Sequence, residues 1–133
     1  MPVRALAFDA DDTLWDFTRV MWEALAAAVG AFEASCPDLV GRLDDRTLLE
    51  VRDRLATEAE ATGERISLAD VRRRSFAVAL AELAVTDPRG EVAAAMADAY
   101  FAQRHGFVQL YPEVAAVLDD LGHRYAIGLV TNG

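Results

Sequence analysis

The sequence predicts an α/β chain that is predominantly helical, with one short strand near each end and a long helical stretch between them. Three observations carry this expectation. The apolar run Ala5-Leu6-Ala7-Phe8 is short, gives way at once to Asp9, and reads as a buried strand. Tyr125-Ala126-Ile127-Gly128-Leu129-Val130 is a second run of the same kind. Between them, roughly ninety residues read as helices, whereas a simple parallel crossover needs only about a dozen or more. An insert of that size predicts a small helical unit of its own.

The helices follow in order. The first spans about 18–34, rich in Ala and Leu, with Asp16 or Thr18 available as N-cap and Ser35-Cys36-Pro37 as its end. A second starts at Asp44 or Asp45, carries Leu48, Val51 and Leu55 at helical spacing, and breaks at Gly63. The third opens on Ser67-Leu68-Ala69-Asp70, a capping box with Asp in the usual Glu position, flanked by Ile66 and Val71 as a staple. Asp87-Pro88 predicts a fourth helix with proline in its first turn, an apolar face of Val92, Met96 and Ala99 or Tyr100, and a stop at Gly106. Phe107 to Leu110 reads as a return linker, and Pro112 starts a short fifth helix that Gly122 ends.

With 133 residues, 53% of them hydrophobic, the chain is long enough for one ordinary domain with a core. A net charge of −9 argues against nucleic-acid or anionic-membrane binding through a general basic surface. The N-terminus lacks the form of a signal peptide, and no run approaches the roughly 18 apolar residues of a membrane span. The single cysteine, Cys36, has no internal partner and fits a reducing compartment, so a cytoplasmic protein is expected. Arg72-Arg73-Arg74 is the only dense basic cluster and reads as a solvated helix face, with at most one or two side chains able to turn toward a substrate. His105 and His123 lack metal-ligand spacing and receive no catalytic part.

The chemistry concentrates in Asp9-Ala10-Asp11-Asp12-Thr13-Leu14. Asp9 and Asp11 are two residues apart where a strand runs into a loop, so the strand period aims both carboxylates to one side. Ends of parallel strands are where open α/β sheets place their chemistry. Two like charges so close repel, which suits a divalent cation and a division of labour between an ionised nucleophile and a proton carrier. Asp12 reads as a turn or capping residue, and Trp15 as either packing or the lining of an entrance.

The string Phe8-Asp9-Ala10-Asp11-Asp12-Thr13-Leu14 resembles the first signature of the haloacid dehalogenase superfamily, hydrophobic-D-x-D-x-T-L. The strand ending in Thr131-Asn132-Gly133 resembles the second, a strand followed by Thr or Ser and Asn. The resemblance implies the N-terminal part of a Rossmann-like parallel-sheet core, residues 1–16 and 108–133, with an α-helical cap inserted as residues 17–107. It implies that Asp9 is the nucleophile and Asp11 the acid and base, that Thr131, Asn132 and Gly133 hold phosphate, and that Mg²⁺ binds through Asp9 and Asp11. The activity it implies is a Mg²⁺-dependent phosphatase acting on a small phosphorylated metabolite through an aspartyl-phosphate. Two alternatives stay open: a haloacid-type dehalogenase, against which Asp11 counts because a departing halide needs no proton, and an inactive shortened relative that serves as a binding module.

Members of the superfamily carry two further signatures, a Lys or Arg near the phosphate and an acidic pair on a later strand. Neither follows Gly133, and all 13 basic side chains are Arg. The expectation is therefore the N-terminal part of a longer phosphatase, and a sheet edge left open that could pair with a second copy of the chain.

Overall fold

The computed structural model of the protein describes residues 1–131. Strand β1, Ala5–Asp9, is followed by helices α1 (Phe17–Ser35), α2 (Asp45–Thr62), α3 (Leu68–Glu82), α4 (Glu91–Gly106) and α5 (Val114–Gly122), and then by β2, Ala126–Val130. A single 3₁₀ turn, Pro37–Leu39, separates α1 from α2. The strands pair in parallel, with Ala5 opposite Ala126 and Asp9 opposite Val130. Because they run the same way, Asp9 and Val130 end at the same edge of the sheet.

Helix starts follow local chemistry. Asp16 accepts the Arg19 N–H at 2.9 Å, Asp44 the Thr47 N–H at 2.7 Å, and Ser67 Oγ the Asp70 N–H at 3.1 Å. Each occupies one of the donors that a helix leaves orphaned at its first turn. The short Asp70 carboxylate accepts the Ser67 hydroxyl at 2.6 Å, in place of the Ser67 N–H that the usual Glu of a capping box takes. Gly63 ends α2 at φ 70°, a left-handed conformation that costs glycine little.

The fourth helix departs from expectation. Pro88 lies in a turn rather than in the first helical turn, and α4 begins at Glu91 after Gly90 at φ 67°. The cap is still Asp87, from further away: its two carboxylate oxygens accept the N–H groups of Val92 and Ala93 at 3.3 and 3.0 Å. A sequence pattern registers that Asp87-Pro88 precedes a helix, but not that the chain makes one more turn to bring the carboxylate over the helix end.

The core lies among the first four helices. Leu25, Phe32, Leu48, Phe76 and Met96 are fully buried there, with Tyr100 beside them. Helix α1 packs chiefly on α4, α2 on α3, and α3 on α4. Each fully buried large apolar side chain contributes on the order of 1.5–3 kcal/mol. The strands behave otherwise. In β1, exposed and half-buried residues alternate, and β2 is exposed throughout, with Leu129 at 61%. Both apolar runs are strands as expected, and the first, read as buried, is only half-buried at Leu6 and Phe8. Only α5 packs on β2, and two paired strands cannot cover their own faces.

Candidate active site

β1 delivers Asp9 at the edge of the sheet, where Oδ1 accepts the N–H of Ala10 at 2.9 Å. The chain then turns sharply. Thr13 and Leu14 both donate to the Ala10 carbonyl, at 3.3 and 2.9 Å, and Asp12 takes φ 55°. Asp12 points back toward α1, where its carboxylate accepts the Thr18 N–H at 2.9 Å and the Thr18 hydroxyl at 2.7 Å. The backbone N–H of Thr18, then its hydroxyl, hold the Asp12 carboxyl below its ordinary range. The capping role expected from sequence is thus the one Asp12 fills. Asp11, between Asp9 and this cap, is half-buried and faces the helices.

Two crossing segments carry the chain out and back. Trp15 pairs with Leu110 in an antiparallel bridge, and the Tyr111 N–H donates to the Leu14 carbonyl at 3.0 Å. Trp15 meets Phe17 edge-on at 5.6 Å, so it packs at this crossing, and Phe17 takes the place at the cleft that Trp15 was a candidate for.

A cleft of about 620 Å³ opens beyond Asp11, within the roughly 300–1,000 Å³ typical of small-molecule sites. Its other walls come from α2, α3 and α4: Arg52, the Ser67–Ala69 turn, Arg72, Tyr100, Phe101, Arg104 and His105. Here the reading of the basic cluster needs correction. Arg73 and Arg74 are exposed, paired with Asp70 at 3.5 Å and Glu64 at 2.9 Å, as a solvated face should be. Arg72 is only 4% exposed and lies over the Tyr100 ring at 4.8 Å. Three consecutive helical residues point about 100° apart, so one of three facing inward is ordinary geometry. Which of them faces inward depends on how α3 rolls against α4. His105, set aside from sequence, lines the same cleft.

Thr131 follows Val130 directly, one residue past the register partner of Asp9, while Asn132 and Gly133 lie outside the described residues. Asp9 is exposed at the strand end and does not line the cleft that Asp11 lines; the carboxylate oxygens both residues offer are hard donors of the kind Mg²⁺ takes. Among the described residues no third carboxylate, histidine or cysteine groups with them. No helix among those residues is long and apolar enough to cross a membrane.

A helical insertion between two parallel strands, the first ending in D-x-D, defines a class of α/β proteins with a cleft under the insertion. Comparison with solved structures names it. A 2-haloacid dehalogenase from Pseudomonas syringae superposes on 99% of this chain at 30% sequence identity and a TM-score of 0.67. The HAD-hydrolase YfnB of Bacillus subtilis, described as bound to magnesium, matches over 100% of the chain at 21% identity and a TM-score of 0.63. The L-2-haloacid dehalogenase of Xanthobacter autotrophicus matches over 99% at 21% identity and a TM-score of 0.54. The chain has the fold of the haloacid dehalogenase superfamily. It spans about half the length of these proteins, 56%, 54% and 47% respectively. No family model and no curated protein matches the sequence.

Proposed function

We propose that the protein is a phosphatase that hydrolyses a small phosphate monoester through an aspartyl-phosphate on Asp9. The observation that carries this reading is the second carboxylate. Asp11 stands two residues after Asp9 and faces the cleft, where a substrate's leaving group would sit. The Asp9 carboxylate attacks phosphorus as the ester P–O bond breaks. Protonated Asp11 gives its proton to the departing alkoxide, then takes one from the water that cleaves the aspartyl-phosphate. Phosphate leaves and both side chains return to their starting states. Thr131, with Asn132 and Gly133, would hold a phosphate oxygen during both steps. Mg²⁺, held by the Asp9 carboxylate and the Asp11 carbonyl, would supply charge neutralisation at the phosphate. Residues 17–107 act in this reading as a cap that excludes water from the reacting groups, and residues 1–16 and 108–133 as part of the catalytic core.

A second reading, 2-haloacid dehalogenation, is favoured by the 30% identity to the Pseudomonas syringae enzyme. The two separate on Asp11. With p-nitrophenyl phosphate and Mg²⁺, Asp9→Asn in the protein that carries this chain should reduce phosphate release to background. Asp11→Asn should slow alkyl phosphates by about 10²–10⁴-fold and p-nitrophenyl phosphate much less, because only poor leaving groups need the proton. Halide release from 2-chloropropionate, unaffected by Asp11→Asn and without phosphate release, would establish the second reading instead.

A further inference from the structure

Among the described residues Arg72 carries its charge into the wall of the cleft without a salt bridge, against the Tyr100 ring. Its guanidinium is buried, one N–H reaches the Leu48 carbonyl at 3.3 Å, and among the described residues no carboxylate pairs with it. Arg104, on the same cleft, also lacks a carboxylate partner; it reaches the Tyr100 hydroxyl at 3.4 Å and lies over the Phe17 ring at 5.1 Å. The other charges nearby are already committed. Arg52 is bonded to Asp53 at 2.6 Å, and Asp70 is taken by Ser67 and Arg73. Both guanidinium groups have neutral partners but neither forms an ion pair among the described residues, and a cleft with two such cations is unexpected in a chain of net charge −9. Burial lowers the Arg72 pKa, Arg52 adds to that, and Tyr100 and Asp53 oppose it; a guanidinium stays charged under such pressure. A buried cation without its counter-ion is costly, and a bound anion relieves that cost.

The first turn of α3, Ser67–Ala69, forms part of the same wall, and the positive end of a helix dipole favours an anion there. Tyr100 and Phe101 meet edge-on at 5.1 Å and form an aromatic wall beside the guanidinium groups. Asp11 is the one carboxylate lining the cleft.

We infer that Arg72 and Arg104 form an anion subsite for a second acidic group of the substrate, a carboxylate or another phosphate, on the cap side of the cleft opposite Asp11. This rests on the phosphatase reading for the role of Asp11 and narrows the substrate to phosphate monoesters with an acidic far end. A planar guanidinium offers paired N–H donors that match either oxyanion, and an aromatic wall keeps it in plane. Phosphate monoesters with an uncharged far end would reach Asp9 and Asp11 but leave Arg72 without its counter-ion.

Calorimetric titration of the protein with four probes tests this: 2-phosphoglycolate, propane-1,3-diol bisphosphate, ethyl phosphate and malonate. At least one of the two doubly acidic phosphates should bind tenfold or more tightly than ethyl phosphate, and the tighter of them identifies the second group. Arg104→Gln, at a half-exposed position, and Arg72→Met should each shrink that gap while leaving ethyl phosphate affinity within twofold, and Arg72→Lys should restore part of it. Should Arg72→Met fail to fold, the Arg72 Nε–H resonance of the unaltered protein must shift with the doubly acidic probe and not with ethyl phosphate. Equal affinities, or a gap that survives Arg104→Gln with no shift at Arg72, would overturn the subsite. Failure of ethyl phosphate to bind, with malonate still bound in an Arg72-dependent way, would remove the phosphatase reading and keep the subsite.

Discussion

The four-helix region and the strand pair differ in how they are held. Helices α1 to α4 bury Leu25, Phe32, Leu48, Phe76 and Met96 completely and begin on capped turns. The strand pair with α5 contributes a single buried side chain, Val114, and leaves Ile127, Leu129 and Val130 exposed. Yet the residues proposed for bond-making, Asp9 and Asp11, belong to the second region, and those proposed to recognise the substrate belong to the first. The buried core lies in one region, and the two carboxylates proposed to react sit at the end of a pair of strands with little packing of its own. Reacting groups need only a fixed strand end and a turn, whereas a buried guanidinium needs a rigid wall around it.

That contrast can be broken experimentally. Phe32→Ala should destabilise the chain by about 3–5 kcal/mol, measured by urea denaturation, because it empties a filled site between helices. A loss under 1 kcal/mol would mean that the helical core is not what holds the molecule together. Ser67→Ala should cost about 1 kcal/mol in the same denaturation experiment by removing the cap of α3.

The carboxylate caps should respond to acid. The Asp44 and Asp87 carboxyls are held below the ordinary aspartate value of 3.8, chiefly by the backbone N–H groups of Thr47 and Ala93. A folded-state pKa depressed in this way adds stability that is fully present above about pH 4 and is lost as pH falls through the lower folded value. Thermal melts should therefore fall off below pH 4, and Asp44→Asn with Asp87→Asn should flatten that fall while the melts at pH 7 change less. An unchanged acid profile in the double variant would remove these caps as its origin. The smallest effect belongs to the strands: Leu129→Ser in the 133-residue chain should shift stability by no more than about 0.5 kcal/mol, as exposed sites do. A loss comparable to that of Phe32→Ala would show that the strand face is covered in solution, and light scattering would then report whether a second copy covers it.

Much of this architecture was legible in the amino-acid order because its causes are local. A strand running into D-x-D, proline and glycine stops, and Asp or Ser three residues before a helical N–H act within a few residues of one another. Ser67 and Gly63 therefore stand where pattern alone placed them, and Asp16 and Asp44 are each one of the two residues it offered. That the two end runs pair in parallel was expected, because parallel strands need a long crossover between them; the register that sets Asp9 opposite Val130 came from the structure. The start of α4 was misplaced by three residues, since Asp87 caps across a turn whose shape Gly90 sets.

The sequence by itself determined the elements, their order and the two carboxylates at the end of β1, all of them consequences of interactions between near neighbours. Only the tertiary structure decided which arginine of Arg72-Arg73-Arg74 is buried, that Phe17 rather than Trp15 lines the cleft, and that Asp11 shares that cleft with Tyr100 and Arg104. Those facts depend on the roll of α3 against α4 and on α1 lying along α4, and helix rotation is set by side-chain packing across the whole bundle. Three identical side chains in a row carry no mark of which will face inward, because the 100° step between them is the same wherever the helix is turned.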